Sequence, residues 1–288
     1  MGWCLVTVVV PQTLKEALAF SSANPEAQII QGGTDLMVEI NFNHRKPTDV
    51  IALRRVEEIR NYAHSSDRSK LIVGAGLPYQ KMEHGEIAEL FPALAQAART
   101  VGSPQIRAAG SIGGNLGTCS PAGDALPVLS ALDAEVNLRT ETTSRDVVIH
   151  DFMIGVKRND RQPGELIVSV TLPIIDGWQG YAKVGVRNAM VISVASCCLV
   201  IDRKLGTVSV ALGAVGPTII RCRETEQWLA TKIDLKSVFD VAPSLLKEFG
   251  DRIANESKPI DDHRSTAAYR RHAVATLSRR LLLRANTK

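Results

Sequence analysis

The sequence is poor in aromatic residues and has almost no excess of charge. Phe, Trp and Tyr make up 5% of the 288 residues, and 34 basic against 30 acidic residues give a net charge of +4. Such a small and dispersed excess gives little support for nucleic-acid binding. No apolar run approaches the roughly 20 residues that a membrane-spanning helix needs. The apolar start, residues 1–10, lacks the basic region of a signal peptide and predicts a strand.

Cysteine and histidine lack the spacing of a metal site. The five cysteines are Cys4, Cys119, Cys197, Cys198 and Cys222. Their number is odd, no pair forms a CxxC motif, and a chain of this length needs no disulfides, which indicates free thiols in a reducing compartment. The six histidines form no HExxH or His-x-His pattern. We therefore predict a cytoplasmic protein with no metal site or iron–sulfur cluster of its own, and with no nucleic-acid or membrane partner.

What the sequence does have is an ordinary globular composition, 45% hydrophobic and 22% charged, arranged in three sections. Strand and helix patterns alternate over residues 1–60, which predicts an α/β subdomain. Residues 61–174 predict a second subdomain, and residues 177–286 place strands before helices, as an α+β domain does. Within these sections, apolar spacing predicts one helix over residues 87–101 and another over residues 235–248.

The first glycine-rich loop follows a predicted strand and precedes a predicted helix. Its sequence is Ile29-Ile30-Gln31-Gly32-Gly33-Thr34-Asp35-Leu36. Glycines allow a backbone to approach a phosphate closely, and successive N–H groups can form a concave anion site. The start of the following helix adds a favourable dipole. From the sequence alone, a tight strand-to-helix turn without a ligand explains the loop equally well.

A second glycine-rich segment covers residues 110–124. It contains five glycines, interleaved with the polar residues Ser111, Asn115 and Thr118. This composition predicts an irregular segment that forms neither a helix nor a long strand, and such segments inside compact domains tend to be functional. Its backbone amides and polar side chains could bind a pyrophosphate without a cation, and Asp124 could accept hydrogen bonds from a ribose or an adenine. The alternative is a flexible surface loop.

Two other motifs are weaker. Gly74-Ala75-Gly76 begins like a dinucleotide fingerprint, but Tyr79 replaces its third glycine and Pro78 lies where the helix should be established. Residues 119–123 resemble a nucleophile elbow only loosely, because Thr118 stands in place of its first glycine. We predict neither a Rossmann phosphate site nor a catalytic nucleophile.

The two loops, in this order and at this spacing, resemble the FAD-binding signatures of the molybdopterin dehydrogenase flavoproteins. Residues 32–36, 111–115 and 120–124 carry the resemblance, which extends over nearly the whole chain. The family includes the FAD subunits of xanthine and carbon monoxide dehydrogenases, and this sequence looks more like the bacterial xanthine dehydrogenases. The resemblance implies an α+β chain, with a two-subdomain FAD-binding fold of the PCMH/vanillyl-alcohol-oxidase-like type. A C-terminal α/β domain of the CO dehydrogenase flavoprotein type would follow.

The resemblance also implies which residues contact FAD. The first loop and the start of the second would hold the pyrophosphate and the ribityl chain, while Asp124 would hold the adenosine end. Three isolated positions would supply further flavin contacts. The implied FAD-binding residues are Ile29, Ile30, Gln31, Gly32, Gly33, Thr34, Asp35, Leu36, Val101, Ser111, Ile112, Gly113, Gly114, Asn115, Thr118, Asp124, Ile167 and Lys183.

The family's chemistry implies no catalytic residue in this chain. Thr34 stands where related covalent flavoproteins carry His. Attachment through Cys119 is the alternative but would be unusual, so we predict non-covalent FAD. In such a heterotrimer a large subunit carries molybdopterin and a small subunit carries two [2Fe-2S] clusters. This chain would accept electrons one at a time onto FAD and pass them to NAD+ or another acceptor during xanthine or purine oxidation.

Two other functions stay open from the sequence. Because the substrate binds on another subunit, the chain could instead serve a carbon monoxide, aldehyde or N-heterocycle dehydrogenase. It could also be a non-catalytic nucleotide-binding interaction module, although the two intact loops argue against this.

Overall fold

The computed structural model describes residues 6–46 and 48–286, so Cys4 and the first half of the predicted N-terminal strand lie outside the described residues. The strands are β1 Val8–Val9, β2 Gln28–Ile30, β3 Val50–Ala52, β4 Tyr62–His64, β5 Lys70–Gly74, β6 Glu135–Arg139, β7 Ser144–Val148, β8 Met153–Gly155, β9 Arg158–Asn159, β10 Leu166–Pro173, β11 Gly177–Val184, β12 Ala195–Asp202, β13 Thr207–Gly213 and β14 Ile220–Arg221. The helices are α1 Leu14–Ala23, α2 Leu36–Asn41, α3 Tyr79–Met82, α4 Gly85–Leu90, α5 Pro92–Thr100, α6 Pro104–Ala109, α7 Ile112–Thr118, α8 Leu126–Ala131, α9 Ile149–Phe152, α10 Arg223–Ala230, α11 Pro243–Glu256 and α12 Ala267–Ala285.

The first sheet is parallel, with the strand order β1-β3-β2. Helix α1 connects β1 to β2 and packs Ala17 and Leu18 against Ile51 of β3. Leu166 and Val168 of β10 complete this small core, which joins the first sheet to the second. The first glycine-rich loop leaves the carboxyl end of β2, and α2 begins directly after it.

The second sheet is antiparallel, with the order β4-β5-β10-β6-β7. Helices α3 to α8 all lie in the connection between β5 and β6 and cover the main hydrophobic core. The prediction of one helix over residues 87–101 was wrong, because α4 ends at Leu90 and α5 begins at Pro92. Proline has no N–H to donate and fits the first position of a new helix, not the interior of a long one.

The second glycine-rich segment is also more regular than its composition suggests. The prediction that it forms no helix was wrong, because α7 spans Ile112–Thr118. The Ser111 hydroxyl caps this helix by accepting the Gly114 N–H at 3.2 Å, and Ile112 and Leu116 are fully buried. A cap contributes about 1 kcal/mol, and burying two large apolar side chains contributes about 3–6 kcal/mol. These gains exceed the cost of glycine in a helix, about 1 kcal/mol per residue.

The third sheet is antiparallel, with the order β11-β12-β13-β14. Alternate residues of β12 enter two different cores: Cys197 and Leu199 pack with the C-terminal helices, whereas Cys198 and Val200 pack with the main core. Because side chains alternate across a strand, both faces of this sheet are covered. The sheet therefore joins the C-terminal region to the part that carries the second glycine-rich segment.

The predicted helix over residues 235–248 was also wrong. Helix α11 spans Pro243–Glu256, with Pro243 at its first turn, and residues 235–242 are not helical. Leu235 and Phe239 are instead buried in the C-terminal core from an irregular segment. A proline at position 243 could not lie inside a helix that begins at residue 235 without breaking it.

The described residues also bear on membranes and metals. No helix within residues 6–46 and 48–286 combines the length and the apolar character needed to span a membrane. In the same residues, no group of three or more His, Cys, Asp or Glu side chains is placed to hold a metal ion. The four cysteines in the described part of the chain are free and buried.

Candidate functional site

The two glycine-rich loops lie in direct contact. A Cβ atom at Gly32 would be 2.0 Å from the carbonyl oxygen of Ala109, just before the second loop. The Thr118 hydroxyl donates to Asp35 Oδ2 at 2.9 Å, which joins two residues 83 positions apart in the sequence. The fold therefore brings together the two segments that the sequence singled out.

The first loop presents free N–H groups. The backbone N–H groups of Gly32, Gly33 and Thr34 have no acceptor among the described residues. Gly33 has φ +69°, in the left-handed region that favours glycine. Successive unpaired N–H groups in such a turn, followed by the start of a helix, form a concavity that suits an anion.

The glycines of the second loop serve two purposes. A Cβ atom at Gly113 would lie 2.7 Å from the carbonyl oxygen of Ala75, so tight packing requires glycine there. A Cβ atom at Gly114 would meet only Ser111 Oγ, at 3.5 Å, and one at Gly117 would meet nothing within 4 Å. The chain itself therefore does not require glycine at positions 114 and 117, and the open space is available to a ligand.

Three buried polar atoms around the loops have no hydrogen-bond partner within residues 6–46 and 48–286. They are Gln31 Oε1, Asn115 Oδ1 and the Tyr79 hydroxyl. Leaving such an atom unpaired costs about 1–3 kcal/mol, so each calls for a partner outside the chain. Burial, together with the nearby charge of Asp124, raises the pKa of Tyr79 well above its usual value, and its hydroxyl therefore keeps its proton. Free N–H groups, open glycine surfaces and unpaired polar atoms fit a ligand that combines phosphates with polar rings, as FAD does.

Asp124 lies at the end of the second loop in a buried hydrogen-bonded cluster. Its Oδ2 is 2.7 Å from Lys183 Nζ, and both side chains are only 9% exposed. Its Oδ1 accepts hydrogen bonds from the Tyr181 hydroxyl at 2.9 Å and the Ser193 hydroxyl at 2.6 Å. Three of the four acceptor positions of the carboxylate are thus occupied, which leaves one for a ligand.

Lys183 has no donor left for a ligand. Besides Asp124, its ammonium group donates to the carbonyl oxygens of Thr100 at 2.9 Å and Val191 at 3.1 Å. The contact with Thr100 places Lys183 next to Val101. Val101 and Ile167 are both half-buried against the main core. The structure thus brings Lys183 close to Asp124 and Val101.

The remaining predicted FAD-binding residues differ in how far their side chains are buried. Ile29 and Ile30 are half-buried in β2, and Leu36 is the half-buried first residue of α2. The Ile112 side chain is fully buried, so only its backbone can meet a ligand. Sequence reasoning missed Tyr181, Ser193 and Tyr79. Tyr181 had one detectable signal, because residues two apart on a strand share a face and it precedes Lys183 by two.

Comparisons with known proteins identify the family of this chain. A family described as "FAD binding domain in molybdopterin dehydrogenase" matches residues 5–175, and one described as "CO dehydrogenase flavoprotein C-terminal domain" matches residues 181–285. The chain is 29% identical over 271 residues to the glyceraldehyde dehydrogenase medium chain of Sulfolobus acidocaldarius, covering 93% of each. It is 24% identical over 277 residues to a putative xanthine dehydrogenase FAD-binding subunit of Escherichia coli, covering 94% of this chain and 92% of that subunit.

The fold is similar to a solved structure of quinoline 2-oxidoreductase from Pseudomonas putida 86. The TM-score is 0.87 at 21% sequence identity, and the match covers 99% of this chain and 98% of the other. The predicted fold, FAD as the cofactor and the oxidoreductase class are all confirmed by these comparisons. From its glycine-rich loops to its C-terminal helices, this chain belongs to the FAD-binding subunits of the molybdopterin dehydrogenase family, which are parts of molybdenum hydroxylases.

Proposed function

We propose that this FAD subunit serves a molybdenum hydroxylase that oxidises xanthine or another purine. It takes electrons from the [2Fe-2S] clusters of a partner subunit and passes them to NAD+ or another acceptor. The observation that carries the FAD role is the first loop of this family member: it packs against the second loop, and three of its N–H groups have no acceptor among the described residues. Such a site is built to hold a dinucleotide cofactor.

The two loops would hold the pyrophosphate and the ribityl chain of FAD. The N–H groups of residues 32–34 would donate to phosphate oxygens, and Gln31 and Asn115 would find partners for their unpaired oxygens. Asp124 would bind the adenosine end through its one free acceptor position. Lys183 would act by holding Asp124 in place, because its own donors are all used. Val101 and Ile167 would contribute apolar contacts.

FAD would be held without a covalent bond. The Thr34 hydroxyl, in the first loop, makes no hydrogen bond to a described residue that could act as its base. Burial raises the pKa of the Cys119 thiol to about 11. At neutral pH that thiol is therefore protonated, and a thiol reacts as a nucleophile only in its thiolate form.

The residues of this chain would bind and orient the cofactor and exclude water from it, without acid–base or nucleophilic catalysis of their own. The bound FAD supplies the redox chemistry. Burial raises the pKa values of Tyr79 and Tyr181, so neither phenol of the site is poised to act as a base.

The complex would be a cytoplasmic heterotrimer of this chain, a large molybdopterin-binding subunit and a small [2Fe-2S] subunit. The relatives named as a medium chain and as a FAD-binding subunit support an assembly of several subunits. Four free cysteines support a reducing compartment. Within the chain, we propose subdomains at residues 1–60 and 61–174 and a C-terminal domain at residues 177–286.

The purine substrate is supported by the similarity to a xanthine dehydrogenase subunit over 94% of this chain. The higher identity to the glyceraldehyde dehydrogenase medium chain favours an aldehyde as a second candidate. Both candidates use the same FAD site, because the substrate would bind on the molybdopterin subunit.

The test is to purify the chain alone and together with its partner subunits. We expect the chain to show the absorbance of oxidised flavin and to release FAD into the supernatant after acid precipitation. Flavin that stays in the pellet would contradict non-covalent binding. A chain that takes up no FAD at all would overturn the proposed site.

The assembled enzyme then decides the substrate and the acceptor. We expect NAD+ reduction with xanthine and none with glyceraldehyde. Turnover with the aldehyde alone would favour the second candidate, and turnover that requires a dye in place of NAD+ would overturn the proposed acceptor.

A further inference from the structure

Arg270 is a buried cation in the first turn of α12, in the C-terminal region of the chain. Its side chain is only 5% exposed, and its Nε–H has no acceptor in the part of the chain that the structure describes. Burying a charge is costly, and replacing a buried ion pair by hydrophobic residues of similar volume is often neutral or stabilising. A buried guanidinium with an unpaired N–H therefore indicates a role besides stability.

The Arg270 guanidinium joins three parts of the chain. Its Nη1 donates to the carbonyl oxygens of Val194 at 3.0 Å and Ala214 at 2.6 Å. Its Nη2 lies 2.7 Å from Asp262 Oδ1, in the turn before α12. Asp262 also accepts two backbone N–H groups of that turn, so its carboxylate is fixed in place. The turn therefore holds the guanidinium against the two carbonyl groups.

The first of these carbonyl groups leads to the buried cluster around Asp124. Val194 directly follows Ser193, whose hydroxyl donates to Asp124 Oδ1 at 2.6 Å. The Val194 N–H donates to the Val184 carbonyl oxygen at 2.8 Å, so one side of Val194 is tied to β11. Arg270 holds its other side, the C=O group. The backbone that carries Ser193 is thus fixed in part by α12.

The second carbonyl group leads to the second glycine-rich segment. Ala214 has φ +61°, in the left-handed region that is unfavourable for a residue with a Cβ atom. Its N–H donates to the carbonyl oxygen of Pro121 at 2.7 Å, and its C=O accepts from Arg270. Strained residues persist only where their surroundings hold them. Arg270 and Pro121, which lies shortly before Asp124, hold this one from its two sides.

We propose that Arg270 is a positioning residue for the cofactor site and that it acts on FAD through Asp124. Two separate backbone segments, at Ser193 and at Pro121, lead to this carboxylate, and one guanidinium holds both. A guanidinium fork can reach the carbonyl groups and Asp262 together, whereas the single ammonium of lysine cannot. The inference rests on the proposed function, because it requires Asp124 to bind FAD. The alternative is that Arg270 only stabilises the C-terminal region.

The test measures FAD affinity and stability separately in variants of the full-length chain. The variants are Arg270→Met, Arg270→Lys, Asp124→Ala and the combination of Arg270→Met with Asp124→Ala. Arg221→Met is the matched control, because Arg221 is similarly buried, at 7% exposed, and its partners Asp133 and Glu226 lie outside the cluster around Asp124. Each flavin-free chain is titrated with FAD well below its unfolding temperature, which thermal unfolding measures.

We expect Arg270→Met to weaken FAD binding at least about ten-fold, equivalent to about 1.4 kcal/mol, and Arg270→Lys to weaken it less. Arg221→Met should lower the unfolding temperature to a similar extent but leave FAD affinity within about two-fold of the wild type. When Asp124→Ala is already present, Arg270→Met should not weaken FAD binding further, since residues that act through one another are not additive.

Unchanged FAD affinity in Arg270→Met would overturn the proposal. Equal losses of affinity in Arg270→Met and Arg221→Met would do the same, as would a full further loss in the combined variant, because each would leave Arg270 with a role in stability alone. If Arg270→Met does not fold, Arg270→Lys takes its place, alone and combined with Asp124→Ala. Unchanged FAD affinity in Asp124→Ala would instead be a failure of the proposed function, and that single variant shows it without any change at Arg270.

Discussion

In the first glycine-rich loop the N–H groups of Gly32 and Gly33 have no acceptor in the part of the chain that the structure describes, whereas in the second loop the N–H groups of Gly113 and Gly114 are already bonded. The Gly113 N–H donates to the Ala75 carbonyl oxygen at 2.8 Å, and the Gly114 N–H donates to Ser111 Oγ at 3.2 Å. The first loop thus supplies donors to a ligand, and the second supplies a rigid wall with open space beside it. Both loops are rich in glycine, but their backbone hydrogen bonds show that these glycines have different roles.

The two loops also differ in how they are anchored. The second ends at Asp124, whose buried cluster ties it to Lys183 on the third sheet. The first ends in α2, which buries no side chain. It is held by the close contact between Gly32 and Ala109, and by hydrogen bonds from Thr118 to Asp35 and from Gln31 to the Gly76 carbonyl oxygen. The stability of the second loop should therefore depend on buried charge, and that of the first chiefly on backbone packing.

The largest expected effect comes from Lys183→Met, which removes the anchor of the second loop. Asp124 would be left buried without its cation, and breaking a buried ion pair from one side costs about 3–5 kcal/mol of unfolding free energy. Denaturant unfolding of the chain measures this loss. Lys247→Met is the matched control, since Lys247 is 73% exposed in its pair with Asp251 and should contribute less than about 1 kcal/mol.

A double variant tests whether the unpaired charge of Asp124 causes this loss of stability. Asp124→Asn added to Lys183→Met removes the unpaired charge, so it should recover part of the lost stability. Equal, small effects of Lys183→Met and Lys247→Met would show that the buried cluster does not anchor the loop.

The next effect in size is expected from Gly32→Ala, which tests the anchor of the first loop. The added methyl group would overlap the Ala109 carbonyl oxygen, a backbone atom that cannot rotate away. The two loops would have to separate, at a cost of about 1–3 kcal/mol, and FAD content should fall with the loss of the cradle. Thermal unfolding and flavin content of the purified variant measure both effects. Gly155→Ala, whose nearest atoms are 3.8 Å away, should change neither. Wild-type stability and flavin content in Gly32→Ala would contradict the packing role.

A structural feature could be predicted from the sequence when the residues that form it lie close together in the chain. Residues 29–36 form a strand, a turn and a helix within eight positions, so their pattern was sufficient to predict the first loop. The second loop was recognised as a motif, but its helix was missed. The sequence shows that glycine makes a helix less stable, whereas the burial of Ile112 and Leu116, which stabilises this helix, depends on tertiary packing. For α4 and α5, the apolar spacing in the sequence correctly indicates helix, but it does not show that Pro92 begins a new helix.

The cluster around Asp124 could be predicted least. Tyr181 and Ser193 follow it by 57 and 69 positions, and only the packing of β11 and the segment after it brings them to one carboxylate. The family resemblance supplied Asp124 and Lys183 as separate contacts, and the structure shows them as an ion pair. Apart from the shared strand face of Tyr181 and Lys183, residue types and spacing do not show which buried polar groups hydrogen-bond each other.

The smallest effect should come from Gly114→Ala, which tests the open space beside the second loop. Without FAD the variant should be more stable by about 0.5 kcal/mol, because alanine is the better helix residue and its methyl group meets only Ser111 Oγ at 3.5 Å. If FAD occupies that space, the same methyl group should weaken FAD binding about ten-fold, equivalent to about 1.4 kcal/mol. Thermal unfolding of the flavin-free chain and a titration with FAD measure the two changes, which should have opposite signs. Gly117→Ala, one turn further along α7, shows how far the cofactor extends. FAD affinity unchanged at both positions would mean that the second loop supplies no wall for the cofactor, and that the first loop binds it alone.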